Sequence, residues 1–227
     1  SLGGVNAVDV ADLAFSLDEA AGLPTVVSSA LGSIDSNFIV VMPSAVVRGI
    51  FESKGGDYVT AMAGLISEIR RTTGHSVVIA PHSYRAGLPE GRMNDGPVCR
   101  EVAEACAGDA QVIGLDSDLT AGELRRLVAL GSVLVTSRFH AMISGLATST
   151  PTVVVGWSHK YREVLDDFGL SSLGLDSSAL NNPSEIADVV ARVLSTRNEL
   201  SQQITAALPA VKVRSLRNFS AIAEAAR

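Results

Sequence analysis

The chain has 227 residues, 47% of them hydrophobic and 19% charged, with a net charge of −6 at pH 7. That composition excludes a disordered chain, and the acidic balance argues against a nucleic-acid-binding surface. No apolar run approaches the ~20 residues that cross a bilayer, so no transmembrane segment is expected.

Residues 1–37 combine short apolar runs with many turn residues and read as the remnant of an inter-domain region containing short strands. The chain opens on Ser1, not methionine, so a preceding segment is expected. FIVVM (38–42) is a strand stopped by Pro43. Residues 57–73 carry Val59, Met62, Ile66 and Ile69 at spacings of three and four, the period of a helix. SVVIA (76–80) is a second strand, ended by Pro81. Asp95 stands where an N-cap belongs, with Pro97 in the first turn and Val98, Val102 and Cys106 as the buried stripe.

QVIGL (111–115) is the third strand, and residues 120–130 form a helix with Leu124, Leu127 and Val128 inward. SVLVT (132–136) is the fourth strand, residues 139–148 a helix of small residues, and TVVVG (152–156) the fifth strand. Asn182, Pro183 and Glu185 supply an N-cap, a first-turn proline and a capping-box glutamate. They open a long helix with Ile186, Val190, Val193, Leu200 and Ile204 on one side; a last amphipathic segment follows Pro209.

Strands apolar on both faces belong to a parallel sheet covered by helices on each side. Their alternation with helices gives an α/β, doubly wound, Rossmann-like domain over residues 38–207, with residues 208–227 as a C-terminal helix. Cys99 and Cys106 are seven apart in one helix, roughly 10 Å by helical rise, too far for a disulfide. They read as thiols of a reducing compartment. No Cys/His spacing suits a metal, so none is expected.

Ligands of such sheets bind at the carboxyl ends of the strands. Arg138-Phe139-His140 stand where the fourth strand gives way to a helix. The N–H groups and dipole of a helix start favour an anion, and an arginine adds a two-pronged donor for phosphate or carboxylate. A histidine there can give or take a proton near neutral pH. The alternative is a structural ion pair with a capped histidine. His82, after the second strand, points to the same sheet edge, or else is a loop histidine. Arg48 could close over an anion or be a solvated arginine. Lys160 opens another post-strand helix and could neutralise substrate charge. Asp95 and Trp157 are candidates for acceptor contact or for structure. No G-x-x-x-x-G-K-S/T, G-x-G-x-x-G or G-x-S-x-G motif is present.

The block SVLVTSRFHAMISGLATSTPTVVVGWSHKYREVLDDFGL (132–170) resembles the polysaccharide pyruvyl transferase family, with its arginine–apolar–histidine after a strand, small-residue helix, proline strand and following lysine. ADLAFSL (11–17), IAPHSYR (79–85) and the later Asn94-Asp95 are similar to family segments. The resemblance implies a two-domain, glycosyltransferase-B-like architecture, of which this chain is the second half, and so an incomplete enzyme. It implies transfer of a pyruvyl group from phosphoenolpyruvate to a sugar of a cell-surface polysaccharide, giving a cyclic ketal. It makes Arg138 and His140 hold the donor, with Phe139 placing its backbone against it and His140 as the leading acid–base residue, and Arg48, Lys160 and His82 as further donor contacts. No cofactor is implied beyond the donor substrate. The expected partners are that small-molecule donor and a glycan acceptor, with a homo-oligomer allowed and a cytoplasmic site of action, at most peripheral to the inner face of the plasma membrane. Two alternatives stand beside this reading: a nucleotide-sugar glycosyltransferase or sugar 2-epimerase on the same fold, and a non-catalytic binding domain. The absence of Asp or Glu between Arg138 and Pro151 favours the first reading over a nucleotide-sugar enzyme.

Overall fold

The computed structural model describes residues 9–89, 91–156 and 158–225. After a one-turn 3-10 helix at Leu13–Ser16 the elements run α1 (Thr25–Leu31), β1 (Phe38–Met42), α2 (Ala45–Glu52), α3 (Tyr58–Thr73), β2 (Ser76–Ile79), α4 (Gly96–Ala105), β3 (Val112–Gly114), α5 (Ala121–Leu130), β4 (Val133–Thr136), α6 (Phe139–Ala147), β5 (Thr152–Val155), α7 (His159–Asp166), β6 (Gly174–Leu175), α8 (Pro183–Ser195) and α9 (Arg197–Ala225). The strands form one six-stranded sheet in the order β3-β2-β1-β4-β5-β6, and every pairing is parallel.

Alternation along each strand splits the core into two layers. Ile39 and Val41 of β1 join Leu65, Ile66 and Ile69 of α3 and Val190 of α8 on one face. Phe38, Val40 and Met42 join Leu124, Leu127 and Val128 of α5 on the other. All five β1 residues are buried, as an apolar run in a parallel sheet requires.

The local signals act where the sequence puts them. Asp57 accepts from the Thr60 N–H to start α3, and Gly74, at φ 69°, ends it in the left-handed conformation. Thr120 and Glu123 form a reciprocal capping box on α5. Gly145 lets α6 lie against the sheet: a Cβ there would collide with Thr152 Oγ1 and come within 3.1 Å of Leu134. The small residues of α6 are therefore a packing device, and they fix the helix whose start carries Arg138, Phe139 and His140.

Four readings of the sequence are corrected. Residues 9–37 hold a 3-10 turn and α1, where short strands were expected. The helix opened by Pro183 stops at Ser195, because the Ser195 and Thr196 hydroxyls turn back onto the Arg192 carbonyl at 2.7 and 3.0 Å. The next helix runs through Pro209 without ending; its buried Ile204, Val211 and Ser215 hold it to the fold across the lost hydrogen bond. Helix α2 was missed although Val47, Ile50 and Phe51 stand at helical spacing, and the two-residue β6 is too short to carry a periodic signal. Cys99 is buried and Cys106 half-buried, both as free thiols.

Candidate active site

In the observed strand order, β1 and β4 are neighbours. The chain leaves β1 toward β2 and β3, then crosses back to β4 and continues through β5 and β6. This reversal opens a crevice at the carboxyl ends of the central strands. A cavity of about 540 Å³ lies there. Its walls come from the ends of all four central strands: Ser44 after β1, His82 and Ser83 after β2, Ser137, Arg138, Phe139 and His140 after β4, and Gly156 and Ser158 after β5. Val46, Val47 and Ile50 of α2, Arg92 and Met93 of the long β2–α4 loop and Tyr161 of α7 complete it.

One buried carboxylate ties these loops together. Asp95 occupies the N-cap position of α4 but makes no side-chain cap bond there. Instead its fully buried side chain accepts from Arg138, with Nε–Oδ2 at 2.7 Å and Nη2 on Oδ1. It also accepts from the N–H of Ala45 at 2.9 Å and of Ser83 at 3.2 Å. The loops after β1, β2 and β4 thus converge on one side chain. Its neighbour Asn94, 3% exposed, donates to the carbonyls of Arg85, Leu88 and Pro89 and accepts from the Arg85 N–H, which shapes the β2–α4 loop. Buried Tyr58 accepts from the Ser44 N–H at 3.1 Å, and burial raises its phenol above the ordinary value.

This bracket changes the reading of Arg138. The fork that the sequence suggests for a bound anion faces Asp95, which leaves Nη1 as the terminal nitrogen that Asp95 does not engage. The charge of Arg138 is balanced by its partner. Further attraction for an anion comes from backbone. Arg138 at the N-cap of α6 and Ser158 at that of α7 make no side-chain cap bond, whereas Ser44 caps α2. Two helices therefore bring uncapped positive ends to one cavity. Gly156, at φ +98°, carries the chain between β5 and α7, and a Cβ there would sit 2.6 Å from Val47.

The two histidines of the cavity differ. His82 is pushed down to about 4, first by burial and then by the nearby His140 and Arg138. It is neutral at pH 7. His140, the second residue of α6, has a side chain 59% exposed, and its Nε2 lies 3.7 Å from Asp12 Oδ2. The Phe139 ring packs edge-on between His140 and Tyr161, with centroids 5.4 Å from each.

Of the residues singled out from the sequence, His82, Arg138, Phe139 and His140 meet in the cavity and Asp95 braces it. Arg48 does not line it; its guanidinium pairs with Glu52 at 3.0 Å and Glu101 at 2.9 Å. Lys160 lines a separate cavity of about 660 Å³, with Phe139, Asp12 and Arg214. Trp157 lies outside the described residues. Sequence reasoning missed Arg92, Tyr161, Tyr58 and Asp12. Arg92 carried a usable signal, as a cation on a loop after a central strand. Tyr58 did not, because its partner Ser44 belongs to another element.

A family model described as polysaccharide pyruvyl transferase matches residues 2–159. No curated protein matches the sequence significantly. Among solved structures, the chain is similar to an α,α-trehalose-phosphate synthase (UDP-forming) from Burkholderia vietnamiensis, at 13% identity and TM-score 0.52, over 89% of this chain and 47% of that one. It is similar to the C-terminal CMP-Kdo binding domain of WaaA from Acinetobacter baumannii, at 15% identity and TM-score 0.51, over 80% of this chain and 97% of that domain. A trehalose-6-phosphate structure from E. coli bound with UDP-2-fluoro glucose aligns at 13% identity and TM-score 0.54, over 88% of this chain and 47% of that one. At such identities the likeness concerns the fold: the sheet is that of one half of a glycosyltransferase of the B type. The chain spans about half the length of the two trehalose-related proteins.

Proposed function

The chain belongs to the polysaccharide pyruvyl transferase family, and on that premise we propose that its switch-point cavity binds phosphoenolpyruvate and passes the pyruvyl group to a sugar of a cell-surface polysaccharide. One observation carries this reading: Arg138, His140 and the uncapped starts of α6 and α7 meet in a single cavity. Phosphoenolpyruvate carries a phosphate and a carboxylate. Helix N-termini, Arg138 Nη1 and Arg92 suit those two groups, and neutral His82 offers a hydrogen bond without a competing charge.

In the proposed reaction a proton adds to the donor methylene, which becomes the methyl group, and positive charge develops at C2. A sugar hydroxyl attacks C2 and gives up its proton. The bond from C2 to the phosphate oxygen breaks, and inorganic phosphate departs with the electron pair. A second hydroxyl then closes the ketal, its proton leaving with the phosphate. His140 is the group proposed to move a proton, because it is exposed to the cavity while burial holds His82 neutral. Residues 38–207 are proposed as the donor-binding domain.

The test is phosphate release from phosphoenolpyruvate with a panel of sugar acceptors, followed by NMR of the product. Run in D₂O, the ketal methyl should carry one deuterium. Acceptor-independent phosphate release, or a product without the ketal, contradicts the reading.

A further inference from the structure

We propose that Asp12 is a positioning residue for His140, its carboxylate fixing the tautomer and orientation of the imidazole so that the other ring nitrogen moves the proton. The inference rests on the transfer reading above for its chemistry, and on geometry for the pairing.

Asp12 Oδ2 lies 3.7 Å from His140 Nε2, ion-pair range but longer than a formed hydrogen bond. The carboxylate is held in place for this contact. Its other oxygen accepts from the Ala14 N–H at 2.8 Å, capping the turn Leu13–Ser16. That turn is clamped from two helices. Arg125 of α5, 2% exposed, donates to the carbonyls of Ala14, at 2.7 Å, and Leu17. Ser215 of α9, fully buried, donates to the Asp12 carbonyl at 2.8 Å. Phe15 anchors the turn in the core at 1% exposure.

His140 has no comparable restraint of its own. Its side chain is 59% exposed, and its other ring contact is the edge of Phe139. The charged or titratable groups that share its cavity are Arg138, Arg92, His82 and Tyr161, all donors or neutral at pH 7, and the carboxylate beside His140 comes from Asp12, which lines the neighbouring cavity. An imidazole that must present one defined nitrogen needs a partner on the other, and a carboxylate held by backbone is such a partner. The clamp on residues 12–17, built from α5 and α9, thereby acquires a purpose beyond stability.

Asp12→Asn is the decisive variant, because asparagine keeps the oxygen that caps Ala14 while losing the charge; Asp12→Ser, also a good cap, serves if Asn fails to fold. The first measurement needs no substrate. In this chain, labelled with ¹⁵N-histidine, long-range proton–nitrogen spectra read the His140 tautomer, assigned by its loss in His140→Ala. One tautomer should dominate in the wild type and a mixture in Asp12→Asn; equal populations in both overturn the proposal. The second measurement uses the protein turning over phosphoenolpyruvate. Asp12→Asn should lower kcat by about 10²-fold with donor KM nearly unchanged, Asp12→Glu should recover part of the loss, and Asp12→Asn with His140→Ala should be no slower than His140→Ala alone. Losses that simply add, or a raised KM with kcat intact, overturn it. A wild-type protein that never turns over phosphoenolpyruvate retires the transfer reading instead, and the tautomer measurement then decides for or against Asp12.

Discussion

His140 and Arg138 sit two residues apart and answer to different partners, so their variants should fail in different ways. His140→Ala should cut turnover about 10²- to 10⁴-fold while donor affinity changes little; near-normal turnover removes it from the mechanism. Arg138 holds Asp95 through two nitrogens. Arg138→Ala leaves a buried carboxylate with two backbone donors and no countercharge, which should cost about 3–5 kcal/mol in urea unfolding. Arg138→Lys should recover part of this, since lysine keeps the charge and loses the planar fork. If Arg138→Ala unfolds like wild type, the bracket around Asp95 is not structural. His82 gives a pH prediction. The unfolded chain protonates it near 6.5 and the folded chain near 4. Between those values the unfolded state binds more protons, so stability is fully present above 6.5 and falls as pH drops toward 4, by at most about 1.4 kcal/mol per unit. His82→Gln should flatten that slope in urea midpoints taken at pH 7.5, 6 and 5; an unchanged slope assigns it to other groups.

At the scale of the element, α6 matters most, because its start is the centre of the cavity. Its seat on β4 and β5 depends on Gly145, so Gly145→Ala should destabilise by about 1–3 kcal/mol through overpacking; a neutral result would mean that α6 has room the structure does not show. This contact also marks what the sequence could reveal. Strands and the helices flanking them were legible because apolar runs and spacings of three and four are local signals. The small-residue pattern of α6 was legible for the same reason, as was the gathering of Arg138, His140 and His82 at the strand ends. The stop at Thr196 was not, because two hydroxyls compete there with a continuing apolar stripe. The passage of α9 through Pro209 was not, because burial of Ile204 and Val211 outweighs a local breaker. The true role of Asp95 was hidden by a plausible local one: cap position, following proline and apolar stripe all fit, while the partner lies 43 residues away in Arg138. The segment of Asp12 stood out in the sequence, but its pairing with His140 did not, because His140 lies in another element.

The whole molecule is a Rossmann-like sheet whose crevice opens at the reversal of strand order, and no helix of the described residues is long and apolar enough to cross a membrane. Val213, Leu216, Phe219 and Ile222 of α9 are each more than half exposed and recur every three residues, an apolar strip that winds about half-way around the helix. They should favour self-association, seen as a concentration-dependent mass in sedimentation and reduced by Phe219→Ser; a monomer at all concentrations contradicts this. The ligand of the crevice is tested by comparing phosphoenolpyruvate with uridine nucleotides in thermal shift on this chain. Ligand at ~100 times its Kd stabilises by about 2.7 kcal/mol, or roughly 5–10 °C for a domain of this size. Phosphoenolpyruvate should raise Tm by that order, uridine nucleotides should not, and the rise should shrink in a cavity variant such as Arg92→Ala. Stabilisation by uridine nucleotides with none by phosphoenolpyruvate would contradict the account.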